Sequence, residues 1–197
     1  MSTVLTLNKR TKRRLIKLII ALIIAGVSYA ATRTTPPPTV PGSTAPSPGF
    51  YKVTQFADGD TISVDMNGKQ ERIRMIGVDT PETQDPRKQV QCFGKAASAF
   101  TKQLIGTQPV RLEADPLGTN RDRYDRLLRY VYLPDGRLVQ AEVIKQGYGF
   151  AYTSFPFSKS DEFKRYETEA REAGHGLWGS CQPAQNQYGG YTSNDEP

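Results

Sequence analysis

Residues 58–82 hold six carboxylates and two arginines, and five of these, Asp58, Asp60, Asp79, Glu82 and Arg74, stand at the outer ends of two strand-like runs and in the turns beside them. Two carboxylates brought to one spot repel each other, and a cation relieves that repulsion. Oxygen ligands beside an open turn suit a hard ion, Ca²⁺ or Mg²⁺. An arginine among them can grip a phosphate with a planar fork that stays charged. A carboxylate such as Glu82, within one hydrogen bond of a water, can take its proton. Together these residue types fit a site for a hard cation with an arginine and a further acid beside it. Singly they have a plainer reading, because Asp-Gly and Asp-Thr-Pro are common turn and cap residues. The set argues for chemistry more than any member does.

The elements around these residues must bring them together. Ile62, Val64 and Met66 alternate with polar residues, as do Ile73, Met75 and Gly77, and Asn67-Gly68 lies between the two runs. This is a strong hairpin signal. It places Asp60 at the outer end of one strand and Asp79 at the outer end of the other. Tyr51, Val53, Gln55 and Phe56 read as an earlier strand, 110–113 as a fourth and 127–133 as a fifth. Helices are expected over 94–105, over 138–146 with Gly147 as its stop, and from Ser160 as N-cap to about 173. Five short strands with three helices predict an α+β, mainly β chain built on a five-stranded oligonucleotide-binding (OB-fold) barrel. Tyr148 and Tyr152 read as barrel packing, and His175, the single histidine, as structural.

The net charge of +6 is unevenly spread. Residues 1–49 carry seven basic and no acidic residues, which leaves 50–197 at −1. Overall charge therefore makes no case for nucleic-acid binding, and local clusters must. Residues 1–14 form a basic, cytoplasmic N-terminus. The apolar run 15–31 is a transmembrane anchor or a signal peptide cleaved near Ala30. Residues 32–49, rich in Pro, Thr and Ser, make an extended linker. The globular domain spans 50–181, and 182–197 is expected as a disordered tail. On this reading the domain is exported, either anchored at the outer face of the membrane or secreted. Two cysteines in an exported domain predict a disulfide, Cys92 to Cys181.

Asp58-Gly59-Asp60-Thr61, Arg74, Asp79-Thr80-Pro81-Glu82 and Asp122-Arg123-Tyr124-Asp125-Arg126 occur in one order and spacing with Phe93-Gly94-Lys95-Ala96-Ala97, Tyr130-Val131-Tyr132, Gln146-Gly147-Tyr148 and Gly176-Leu177-Trp178. In these motifs residues 50–180 resemble the staphylococcal nuclease (thermonuclease) family. The resemblance implies an OB-fold domain, monomeric, that cuts DNA and RNA endonucleolytically with Ca²⁺ and leaves 3′-phosphates, with single-stranded or locally unpaired substrate favoured. It implies Asp60, Asp79 and the Thr80 carbonyl as calcium ligands, Glu82 as general base or water-positioning residue, and Arg74 and Arg126 as holders of the scissile phosphate. Arg123 and Tyr124 fall where the family contacts a neighbouring phosphate, and Arg87 and Lys88 in its basic loop beside the substrate. Two departures stand out. Asp125 replaces the usual Gly, where backbone freedom matters, and sets a negative charge beside Arg126. Gln140 replaces the usual Asn, with a weaker local hydrogen bond expected. A non-catalytic nucleic-acid-binding OB module at the cell surface is the alternative, and a surface protein with structural calcium a third reading.

Overall fold

A computed structural model describes residues 8, 10, 49–83, 89–187 and 189–195. The expected hydrophobic helix at 15–31, nearly all of the linker, and Arg87 and Lys88 lie outside these residues. Among the described residues no helix is long and apolar enough to cross a membrane. The chain divides into two compact units, Met1–Thr44 and Ala45–Pro197, and the second carries the fold that follows.

The hairpin forms as its sequence predicts. β2 (Thr61–Met66) and β3 (Lys69–Met75) pair antiparallel from Met66↔Lys69 to Thr61↔Arg74. Asn67 and Gly68 between them both have positive φ, 58° and 85°, the conformation that a two-residue hairpin turn demands. β1 (Phe50–Phe56) pairs with β2 on one side and with β5 (Val110–Glu113) on the other. β6 (Leu127–Tyr132) then pairs antiparallel with β5 and parallel with β3, which closes a five-stranded mixed barrel. Ile62, Val64, Ile73, Met75, Val110 and Val131 fill it and are almost wholly buried.

The second strand of the hairpin is shorter than the alternation suggested. Gly77 turns the chain at φ 74°, and Val78–Asp79 forms a separate strand, β4, against β7 (Phe150–Ala151). A side chain at Gly77 would start 2.6 Å from the Phe157 ring, so glycine is required there. Asp79 therefore stands on its own two-residue platform rather than at the hairpin's end.

α1 (Gly94–Ile105), α2 (Val139–Lys145) and α3 (Ser160–Glu172) match the three expected helices. A fourth, α4 (Leu177–Ser180), adds one turn that periodicity over so few residues could not reveal. Ser160 is not the N-cap of α3: Lys159 is, without a side-chain cap bond. The Asp115 carboxylate instead accepts the Ser158 N–H at 2.7 Å just ahead of the helix. Cys92 and Cys181 form the predicted disulfide across a sequence separation of 89. The expected disordered tail departs most from prediction. β8 (Ala184–Gln185) pairs with β9 (Tyr191–Thr192), Ser193 is buried, and Asp195 forms a bridge with Gln91. Tyr191 packs on Trp178 and Phe150, a small apolar cluster that the polar composition of the segment hid.

Candidate active site

Barrel closure sets Arg74 at the end of β3, across from Thr61 and beside Leu128. Its side chain is 14% exposed and bridges two acids: Nη1 lies 3.0 Å from Asp60 Oδ2, and Nη2 donates to Asp79 Oδ1 at 2.8 Å. Nη1 also donates to the Val78 carbonyl at 2.7 Å, which ties the guanidinium to β4. Asp60 is held from several directions. Its Oδ2 accepts the Thr80 N–H at 3.0 Å and the Thr80 hydroxyl at 3.2 Å, and its Oδ1 accepts the Thr61 hydroxyl at 2.9 Å. Thr101, buried in α1, donates to the Gly59 carbonyl at 2.7 Å and braces the loop before Asp60. A Cβ at Gly59 would meet Thr80 Cγ2 at 2.8 Å, so glycine permits the close approach of the two loops.

The electrostatics follow from this crowding. Burial alone would lower the pKa of Arg74, but Asp60 and Asp79 outweigh it and hold the guanidinium above its usual value. Burial raises Asp79, Arg74 opposes it, and Asp60 adds to the rise, so the carboxyl is pushed up to about 6. Its side chain keeps 47% of its surface open at the cleft mouth, so water tempers that shift. Asp58 is also raised, first by burial, against a hydrogen bond from Thr83.

Arg126 comes from the other side of the cleft. Nε and Nη2 both lie 2.7 Å from Asp122 Oδ2, and Nη1 donates to the Thr61 hydroxyl at 3.3 Å. Asp122 Oδ1 also accepts the N–H groups of Tyr124 and Arg126, at 2.9 and 3.0 Å, so one carboxylate shapes the turn and aims the arginine. Burial would raise Asp122, but these bonds hold it below the usual carboxylate range. Asp125 takes the left-handed conformation expected of a glycine position, with φ 61°. Its carboxylate is 88% exposed and faces Arg121 at 3.5 Å, so it does not displace Arg126's bond to Asp122. The other departure also resolves. Gln140 is fully buried, accepts the Val131 N–H at 3.1 Å and donates to the Arg129 carbonyl at 2.9 Å. The longer amide makes both bonds to β6, and the expected weakening is absent.

Glu82 lies in no helix or strand. Its Oε1 accepts the Thr83 N–H at 2.9 Å, and its own N–H donates to Gln91 Oε1 at 2.8 Å. With Asp58, Asp60, Asp79, Arg74 and Arg126 it lines an open cleft of about 300 Å³. Tyr124 and Thr80 complete the walls. Arg123 stands outside this cleft, stacked over Tyr124 at 4.8 Å from the ring centre. A second groove of about 910 Å³ adjoins the first and shares Arg74, Asp79, Tyr124 and Arg126 with it. Leu117, Tyr152 and Phe155 leave 61%, 39% and 67% of their surface exposed along it. Tyr148, by contrast, stacks on Phe100 at 4.1 Å as packing.

Several of these residues were not singled out by sequence reasoning. Thr61 links Asp60 to Arg126, Asp122 aims Arg126, and Gln91 holds the Glu82 backbone. Only Asp122 carried a signal, an aspartate placed to open a turn by accepting the N–H two residues on.

The donor set has the chemistry for a hard cation. Two carboxylates share one positive partner, and both offer oxygen. Among the described residues no three His, Cys, Asp or Glu side chains group as ligands, so an ion there would take its remaining oxygens from main chain and water.

Comparison with known proteins gives a consistent result. The family described as staphylococcal nuclease homologue matches residues 72–180. The chain is 43% identical over 129 residues to a thermonuclease of Staphylococcus hyicus, covering 65% of this chain and 75% of that protein. It is 43% identical over 123 residues to the endonuclease YncB of Bacillus subtilis (strain 168), covering 61% of this chain and 57% of that one. The SPbeta prophage-derived endonuclease YokF of the same organism is 42% identical over 123 residues, 61% of this chain and 41% of its own.

Proposed function

The chain belongs to the staphylococcal nuclease homologue family, and on that premise we propose that it is an exported, calcium-dependent endonuclease. Its substrates are DNA and RNA, cut to leave 3′-phosphate ends. Residues 15–31 either tether the domain to the membrane or are removed near Ala30. The observation that carries this reading is the convergence of Arg74 and Arg126 on one cleft with Asp60, Asp79 and Glu82.

Asp60 and Asp79 are the side chains that would hold Ca²⁺, with the Thr80 carbonyl beside them. When bound, the ion supplies Lewis-acid polarisation of a phosphate oxygen and a lowered pKa for a coordinated water. The protein's own groups do the rest. Glu82 takes a proton from the attacking water, whose oxygen bonds to phosphorus. The P–O5′ bond breaks, the 5′ oxygen takes up a proton from solvent water, and the phosphate stays on the 3′ oxygen. Arg126, aimed by Asp122, meets the phosphate with fixed positive charge and needs no reorganisation as charge develops. Tyr124, Tyr152 and Phe155 give unpaired bases apolar and aromatic surface beside the cleft. The non-catalytic alternative predicts a cleft stripped of acids or arginines, whereas the five residues meet here.

The test is cleavage of single-stranded DNA by the full chain, with Ca²⁺ or with chelator, beside Glu82→Gln. We expect cutting only with calcium, and a loss of about 10²- to 10⁴-fold in kcat in the folded variant. A folded wild-type protein that binds DNA without cutting it would establish the binding-module reading instead.

A further inference from the structure

Residues 191–195 fold back onto the chain just ahead of α1. The Cys92 N–H donates to the Asn194 carbonyl at 2.7 Å, the Ser193 hydroxyl donates to the Cys92 carbonyl at 2.8 Å, and Gln91 and Asp195 form an antiparallel bridge. Tyr191 anchors the segment, its ring 4.9 Å from that of Trp178. The disulfide fixes Cys92, the next residue along from Gln91.

Gln91 is the junction between this segment and the cleft. Its Nε2 donates to the Ser193 carbonyl at 3.3 Å, and its Oε1 accepts the Glu82 N–H at 2.8 Å. Its main-chain N–H donates to the Glu82 carbonyl at 3.0 Å. The side-chain amide therefore has a defined orientation: nitrogen toward Ser193, oxygen toward Glu82. The Glu82 backbone, outside every helix and strand, is clasped by both of its peptide groups.

We propose that residues 191–195, acting through Gln91, position Glu82 for proton transfer. Gln91 is a positioning residue and touches no reacting atom. The proposal deepens the reading of Glu82 as general base and rests on it. Proton abstraction is sensitive to small displacements of the base, whereas substrate and calcium are held by groups on the barrel and β4. Loosening the clasp should then lower the rate without weakening substrate binding.

The test uses the full-length chain with Ca²⁺ and single-stranded DNA. The variants are Gln91→Ala, Glu82→Gln, the two combined, and a chain ending after Gly190, which keeps Cys181 and every barrel strand. Both kcat and KM are measured, together with hydrogen exchange at the Glu82 amide. Gln91→Ala and the shortened chain should each lose roughly 10- to 100-fold in kcat, at unchanged KM, with faster exchange at Glu82. Gln91→Ala should cost nothing further when Glu82 is already Gln. If Gln91→Ala does not fold, the shortened chain, in which Gln91 is intact, decides the matter. Wild-type kcat in either variant, or an equal loss on the Glu82→Gln background, overturns the proposal while leaving Glu82 as the base. Wild-type kcat in Glu82→Gln overturns the base assignment and the positioning role with it.

Discussion

Arg74→Gln separates the two demands on the cleft. In the described geometry Arg74 is the cation that Asp60 and Asp79 share, at 3.0 and 2.8 Å. Asp60 is 9% exposed, so removing the guanidinium leaves a buried carboxylate beside a second acid. Breaking a buried pair from one side costs about 3–5 kcal/mol, and the half-open Asp79 reduces this to about 2–4 kcal/mol. At about 2–4 °C per kcal/mol for a domain of this size, the melting midpoint in chelator should fall by about 5–15 °C. Calcium should then recover most of that loss, because it replaces the missing positive charge. It should also bind more tightly to the variant, by about tenfold or more, since nothing competes for the carboxylates. Activity should collapse all the same, because the phosphate has lost a clamp. Thermal melts with and without Ca²⁺, isothermal titration calorimetry and a cleavage assay on one preparation give all three numbers. Weaker calcium binding in Arg74→Gln, or an equal drop in melting midpoint with and without calcium, would refute the claim that arginine and metal answer the same two carboxylates.

The other expectations concern neighbouring contacts. Asp122→Ala removes the charged bonds that aim Arg126, and at about 1.5–3 kcal/mol it should lower kcat/KM by about 10- to 150-fold. Asp122 and Asp115 are both held below the usual carboxylate range despite burial, Asp115 by Tyr130, Ser158 and Leu117. The unfolded chain therefore binds more protons than the folded one. The stability these groups contribute is full above about pH 4 and is lost as pH falls through their folded values, visible in an acid titration by circular dichroism. Because burial pushes Asp79 up to about 6, calcium affinity should be constant above that pH and decline below it, with proton release accompanying binding in calorimetry at pH 5. Replacing Cys92 and Cys181 by Ala opens a loop with a separation of 89 residues and should cost about 4–5 kcal/mol in denaturant unfolding.

The barrel was legible because its signals are local. Asn67-Gly68 between alternating runs dictates a two-residue turn, and apolar positions in 94–105 and 139–145 repeat at the helical period. The acids and arginines of the cleft were legible as residue types, and the turn sequence around Asp122 held the contact that aims Arg126. What stayed hidden depends on partners distant in sequence. β4 exists only because β7 pairs with it, and neither is more than two residues long. The tail reads as polar and Gly-rich, yet Tyr191 finds Trp178 and Phe150. Gln91 carries no motif, since its role is a set of bonds to residues 82 and 193. Exposed Tyr152 and half-buried Tyr148 look alike in sequence, one just after β7 and the other just before it, and only Tyr148 finds a stacking partner in Phe100.

The parallel pairing of β3 with β6 joins Arg74 to Leu128 across a long excursion that contains α1 and β5. Such a pairing has high contact order, and its loop-closure entropy must be met before any of its contacts form. Arg74 reaches its place on one strand of this seam, and Arg126 immediately precedes the other. Assembly of the two arginines at one cleft therefore requires this pairing. A partly unfolded chain carries every residue of the cleft without the cleft. Nuclease activity needs this seam, so its recovery during refolding should lag helix formation and track the protection of the Ile76 amide, which donates to the Arg129 carbonyl at 3.1 Å.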